Sequence, residues 1–139
     1  MAVPHVGGRY GNLDYFDSDF VNLLEIHSHH GSFEWFFREA LKRGYKIGVV
    51  AGSDDHSCRP GLSFPTRNTS RGFVSFDVKG GYTGVYTDKL TRKALWEAFT
   101  QRHCYATTGK RIIIKMNCQD HMMGDEFSLE EKPEFKIKV

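Results

Sequence analysis

The feature that most constrains this sequence is a change of hydrophobic period, made and then undone within residues 20–53. FVNLLEIHS, residues 20–28, is a short apolar run of strand type. In the next segment Phe33, Phe36, Phe37, Ala40 and Leu41 recur at i, i+3, i+4, i+7 and i+8, which is one face of a helix. Ser32 is placed to cap its N-terminus, Glu34 sits in its first turn, and Gly44 can end it in the left-handed conformation. YKIGVVAGS, residues 45–53, then returns to a buried strand. Strand, helix and strand with short joins predict a parallel, right-handed crossover.

The rest of the chain reads less regularly. Residues 4–12, rich in Gly and Pro, are loop, as are residues 58–79 with their prolines, Ser, Thr and Arg. GGYTGVYTD, residues 80–88, is a third strand. LTRKALWEAFTQRH, residues 90–103, is a second helix capped by Thr91, with Leu90 against Leu95 as a hydrophobic staple and Leu95, Ala98 and Phe99 facing inward. Residues 111–119 and 134–139 read as strands with no helix between them, a β-rich appendage. The last run stops at Val139 with no terminator, so the expectation is a chain cut inside a larger β unit.

Bulk properties exclude several classes. A length of 139 residues suits one domain with a core of its own, and 40% hydrophobic with 26% charged residues is ordinary globular composition. A formal charge of +2 is too small to argue for nucleic acid or an anionic membrane surface. No apolar run approaches the roughly 20 residues that span a bilayer, and the N-terminus lacks the pattern of a secretory signal. Cys58, Cys104 and Cys118 have no CxxC or zinc-finger spacing, so a reducing cytoplasm is expected.

The chemistry-bearing residues gather where the predicted strands end. In IGVVAGSDDHSCRPG a buried strand runs into Asp54, Asp55 and His56, groups that are costly to desolvate without a compensating partner. In extended backbone Asp54 and His56 share a face, and one carboxylate with one imidazole suits Zn²⁺, Mn²⁺ or Fe²⁺. Solvated turn residues that cap the next element are an equal alternative. On the neighbouring strand Glu25, His27 and His29 have one parity and His30 the other; each can line the site or be a surface imidazole or a helix-start contact. His5 stands alone in a Gly-rich loop. Arg59 can clamp an anion or simply fix the long loop. ATTGK, residues 106–110, lacks the first Gly of a Walker motif and precedes a strand, so no phosphate loop is read there. Cys104 has no base partner that would make it a nucleophile.

GSDDH resembles the signature that closes the metal site of PHP-superfamily hydrolases (polymerase and histidinol phosphatase domains). LLEIHS resembles the strand before it, and PHVGG the histidine motif one strand earlier. The wider run, with HGSFEW, LTRKALWEAF and RHCYATTGKRI, is similar to a bacterial group of PHP-related proteins. The resemblance implies an α/β fold: the C-terminal portion of a distorted (β/α)7 barrel over residues 1–110, then the start of a β-rich segment over 111–139. It implies His5, Asp54 and His56 as metal ligands, Asp54 also in proton transfer, and a metal-bound hydroxide that attacks a phosphomonoester or phosphodiester. Glu25, His27, His29, His30 and Arg59 fall nearby as outer-sphere or substrate contacts. The HxH strand that starts such a barrel is absent before His5, so an incomplete ligand set and an inactive fragment are expected. Open sheet edges then call for a homo-oligomer or for completion by the missing barrel half. A non-catalytic metal- or anion-binding α/β module is the alternative.

Overall fold

The computed structural model describes residues 1–5, 11–54 and 80–139. The predicted loop at 58–79, with Cys58 and Arg59, lies outside the described residues, as do Asp55 and His56. β1 (Leu23–Ser28), α1 (Glu34–Lys42) and β3 (Gly48–Ala51) form the strand–helix–strand unit that the change of period predicts. β1 and β3 pair in parallel from Leu23↔Gly48 to His27↔Ala51, with a register slip between Glu25 and His27. Phe36 and Ala40 bury the inner face of α1 against Leu24, Leu13, Val21 and Ile47, with Phe33 and Phe37 packed at the margin. Each large apolar side chain so buried contributes about 1.5–3 kcal/mol. Leu41, last in the helical stripe, is 50% exposed.

One local expectation is corrected. Ser32 does not cap α1: it belongs to β2 (Gly31–Ser32), which pairs antiparallel with the end of β1, and its Oγ lies 2.7 Å from His27 Nδ1. Phe33 holds the N-cap position without a side-chain bond. Gly44 does close the helix in the left-handed region, at φ 78°. Before β1, a short 3-10 turn at Leu13–Tyr15 is capped by Asn12. Residues 2–5 run parallel to β1 through bridges Ala2↔Val21 and His5↔Glu25, and Glu25 N donates to Pro4 O at 3.2 Å.

The second half departs from the barrel. β4 (Tyr82–Val85) is the predicted third strand, but it pairs antiparallel with β5 (Cys104–Thr107), from Tyr82↔Thr107 to Val85↔Cys104. Between them α2 (Arg92–Thr100) is capped as expected, Thr91 Oγ1 accepting from Ala94 N at 3.2 Å. Leu90 is 90% exposed, so the staple does not form. Arg102, in the left-handed region at φ 61°, turns the chain straight out of α2, and β5 runs back along β4. A repeating barrel unit would bring that strand in parallel. Among the described residues there are two helices and eight strands in three small sheets, β2-β1-β3, β4-β5 and β7-β6-β8. The fold is therefore β-rich and not a portion of a (β/α)7 barrel.

The two inner sheets meet at β3. Thr83 Oγ1 accepts from Ala51 N at 3.0 Å and donates to Ala51 O at 2.8 Å, and Gly81 N donates to Gly52 O at 2.8 Å. Gly81 has to be glycine here, since a Cβ would lie 2.7 Å from Thr107 O and 2.8 Å from His27 Cδ2. The third sheet comprises β6 (Lys115–Cys118), β7 (His121–Met122) and β8 (Phe135–Lys138), all antiparallel. It is tied to the end of α2 by His103 with Asp125 at 2.8 Å and by Arg102 with Glu126 at 2.6 Å. Among the described residues no helix is long and apolar enough to cross a membrane.

Candidate metal centre

Three chain segments end at one place: the strand-like residues 2–5, β1 with its turn into β2, and the residues after β3. Each supplies one polar side chain. His5 itself forms the parallel bridge to Glu25, His30 lies in the turn between β1 and β2, and Asp54 stands three residues past the end of β3. One ligand atom from each of these residues lies within 4.8 Å of the other two. His30 Nε2 is 2.7 Å from Asp54 Oδ2, and His5 Nε2 is 3.5 Å from the same oxygen.

A tetrahedral ion bonded at about 2.0–2.1 Å holds its ligand atoms roughly 3.3 Å apart, so the cluster is close to the spacing a cation needs. Two imidazole nitrogens and a carboxylate oxygen suit Zn²⁺, Mn²⁺ or Fe²⁺, with coordination positions left for water or substrate. The donor set therefore fits a divalent ion. The site is partly open, with the His5 side chain 43% exposed and that of Asp54 17%.

Asp54 reaches the cluster by a route the sequence does not show. Its φ is 51°, in the left-handed region, whereas the shared face of Asp54 and His56 assumes extended backbone. Asp enters that region at modest cost because its short side chain can bond locally, and sparsely populated backbone of this kind concentrates at functional sites. Glu25, on β1, stands behind His5: its Oε2 pairs closely with His5 Nδ1. Gly52 leaves room for that carboxylate, since a Cβ there would lie 2.7 Å from Glu25 Oε1.

The remaining candidates divide. His30 joins the cluster. His27 is buried with its ring on Ser32 Oγ, and His29 is buried where a Cβ on Gly80 would lie 2.9 Å from its Nε2. Neither belongs to the three-residue cluster. His56 and Arg59 lie outside the described residues. Burial pushes the Cys104 thiol up to about 11, which keeps it protonated and unreactive at neutral pH. No sequence signal marks Gly52 or Arg102 in advance, because close approach and a left-handed turn depend on what packs opposite.

Comparison with known proteins gives a family and three relatives. The family model described as "Protein of unknown function (DUF3604)" matches residues 63–134. An "Uncharacterized protein" of Chlamydia muridarum is 39% identical over 101 residues, 70% of this chain and 15% of its own length. Similar proteins of Chlamydia trachomatis and Chlamydia pneumoniae are 39% identical over 97 residues and 36% over 102, covering 68% and 71% of this chain and 14% and 15% of theirs. The chain thus spans about 15% of the length of the curated relatives it matches. No solved structure matches it. These findings correct the resemblance to the PHP superfamily: neither the family nor the relatives point there.

Proposed function

The chain belongs to the family described as "Protein of unknown function (DUF3604)", and from that premise we propose that it supplies a divalent-cation site, built on His5, His30 and Asp54, to a metal-dependent hydrolase that acts on phosphoesters. The single observation behind this reading is the convergence of two imidazoles and a carboxylate, from three separate segments, within 4.8 Å. The Asp54 carboxylate is the most enclosed of the three and faces both imidazoles, an arrangement that a shared cation would draw together. A bound divalent ion supplies Lewis acidity and activates water for attack at neutral pH.

The chain's own residues hold and orient. Asp54 offers one oxygen to both imidazoles, and His5 is backed by Glu25. His56, two residues beyond Asp54 in the sequence, is a further ligand in this reading, and Arg59 a contact for a phosphorylated small molecule or phosphodiester. A cytoplasmic setting is part of the same reading, supported by the buried free thiols of Cys104 and Cys118. A second reading, cation binding without chemistry, is favoured by one observation. Asp54 Oδ2 already faces both rings, so that oxygen is engaged in holding the cluster together and not turned toward a reacting water.

Metal analysis of protein purified without added metal, followed by titration with Zn²⁺ and Mn²⁺, tests the site. About one ion per chain is expected, with loss of binding in His30→Ala. Binding that is absent in the wild type, or unchanged in His30→Ala, refutes it. Turnover of a generic phosphomonoester or phosphodiester by the metal-loaded protein, abolished in Asp54→Ala, separates the hydrolytic reading from simple binding.

A further inference from the structure

We infer that Glu25 is a positioning residue for this centre: it acts through His5, fixing the imidazole so that Nε2 faces the cation. The inference rests on the metal-site reading above and adds a residue and a mechanism to it. Glu25 Oε2 pairs with His5 Nδ1, while His5 Nε2, the opposite ring atom, is the one that faces Asp54. A carboxylate on Nδ1 holds the ring proton there and leaves the Nε2 lone pair directed at the ion. Metal-binding histidines commonly carry such a partner, and its removal costs about 10- to 100-fold in affinity.

Three features of the fold prepare this contact. The parallel bridge His5↔Glu25 places the two residues side by side. The Glu25 side chain is only 16% exposed, so its carboxylate is held against the protein. Gly52 leaves the space in which the second oxygen lies. Glu25 does not belong to the group of atoms within 4.8 Å that includes His30 and Asp54, which separates backing the ring from binding the ion.

The test is a double-mutant cycle read as Zn²⁺ affinity by competition with a chromophoric chelator, with melting temperature as the check on folding. Glu25→Gln should weaken Zn²⁺ binding about 10- to 100-fold in the otherwise native chain. In a His5→Ala background the same change should have no further effect, because its target is gone. Gly52→Ala is the second variant: it keeps the carboxylate but drives its flexible end away, and should weaken binding in the same sense without unfolding the chain. Unchanged affinity in both variants, or an undiminished Glu25→Gln effect without His5, overturns the positioning role while the metal site stands. A wild-type chain that binds no Zn²⁺ overturns the site itself and the inference with it.

Discussion

Replacing Gly81 by alanine tests the packing that joins the two inner sheets. The added methyl would lie 2.7 Å from Thr107 O and 2.8 Å from His27 Cδ2, and closer still to Ala51 Cβ. None of these is the loose end of a long side chain: one is backbone of β5, one is the first side-chain atom of β3, and one is the ring of a buried histidine. Relief must come from moving the backbone at Gly81, which also strains its 2.8 Å bond to Gly52 O. Overpacking of this kind costs about 1–3 kcal/mol, and loss of the hydrogen bond about 1 more. At roughly 3–4 °C per kcal/mol for a chain of this length, the melting temperature should fall by about 6–16 °C. Gly44→Ala provides the internal standard. Its φ of 78° carries strain, but nothing lies within 4 Å of the new methyl, so the cost is about 1 kcal/mol. Thermal unfolding followed by far-UV circular dichroism should rank Gly81→Ala well below Gly44→Ala, which in turn lies below wild type. Equal losses in the two variants would refute the close approach of residues 80–81 to β3 and β5.

Asp54→Asn and Asp54→Ala should both abolish metal binding, yet only the alanine should also cost about 1 kcal/mol, because Asn tolerates the left-handed region and Ala does not; matching melting curves would refute this. Cys104, with its thiol pushed up to about 11 by burial, should resist a thiol reagent at neutral pH until denaturant is added, and prompt labelling of the native chain would contradict its burial. The hydrogen bond from His103 holds the Asp125 carboxyl below its usual range, helped by the Met122 amide. That contribution is present above the unfolded carboxylate value, about 3.9, and is lost as the pH falls through the folded one. Asp125→Asn should therefore be less stable than wild type at neutral pH, with the gap closing in acid; a gap independent of pH would sink the assignment.

The first half of the fold was legible because its signals are local. Leu24 on β1, Phe36 and Ala40 on α1 and Ile47 before β3 form one core, and apolar period reports such a stripe directly. Strand direction is another matter. Hydrophobicity at 80–88 marks β4 but does not say whether its partner runs parallel or antiparallel, and that depends on Arg102 turning left-handed after α2. β5 is four residues entered two residues after that turn, so no Gly or Pro announces it. Ser32 carried the right composition for a cap and was claimed instead by His27.

The candidate site shows the same division between what pattern carries and what packing decides. Parity along a strand assigns Glu25, His27 and His29 to one face, but β1 ends at Ser28 and the pairing with β3 already slips after Glu25. Past that point the period of two has no authority: the turn into β2 selects His30, while His27, still on β1, and His29 are buried. Asp54 follows the same rule from the other side. Its place after an apolar strand marked it as a candidate, and a backbone angle that no pattern encodes aims it at His30. A polar residue at a strand end is thus a marker of location more than of direction. What turns location into a candidate site here is the meeting of three independent segments, with Glu25 behind the His5 imidazole and the bare backbone of Gly52 beside it.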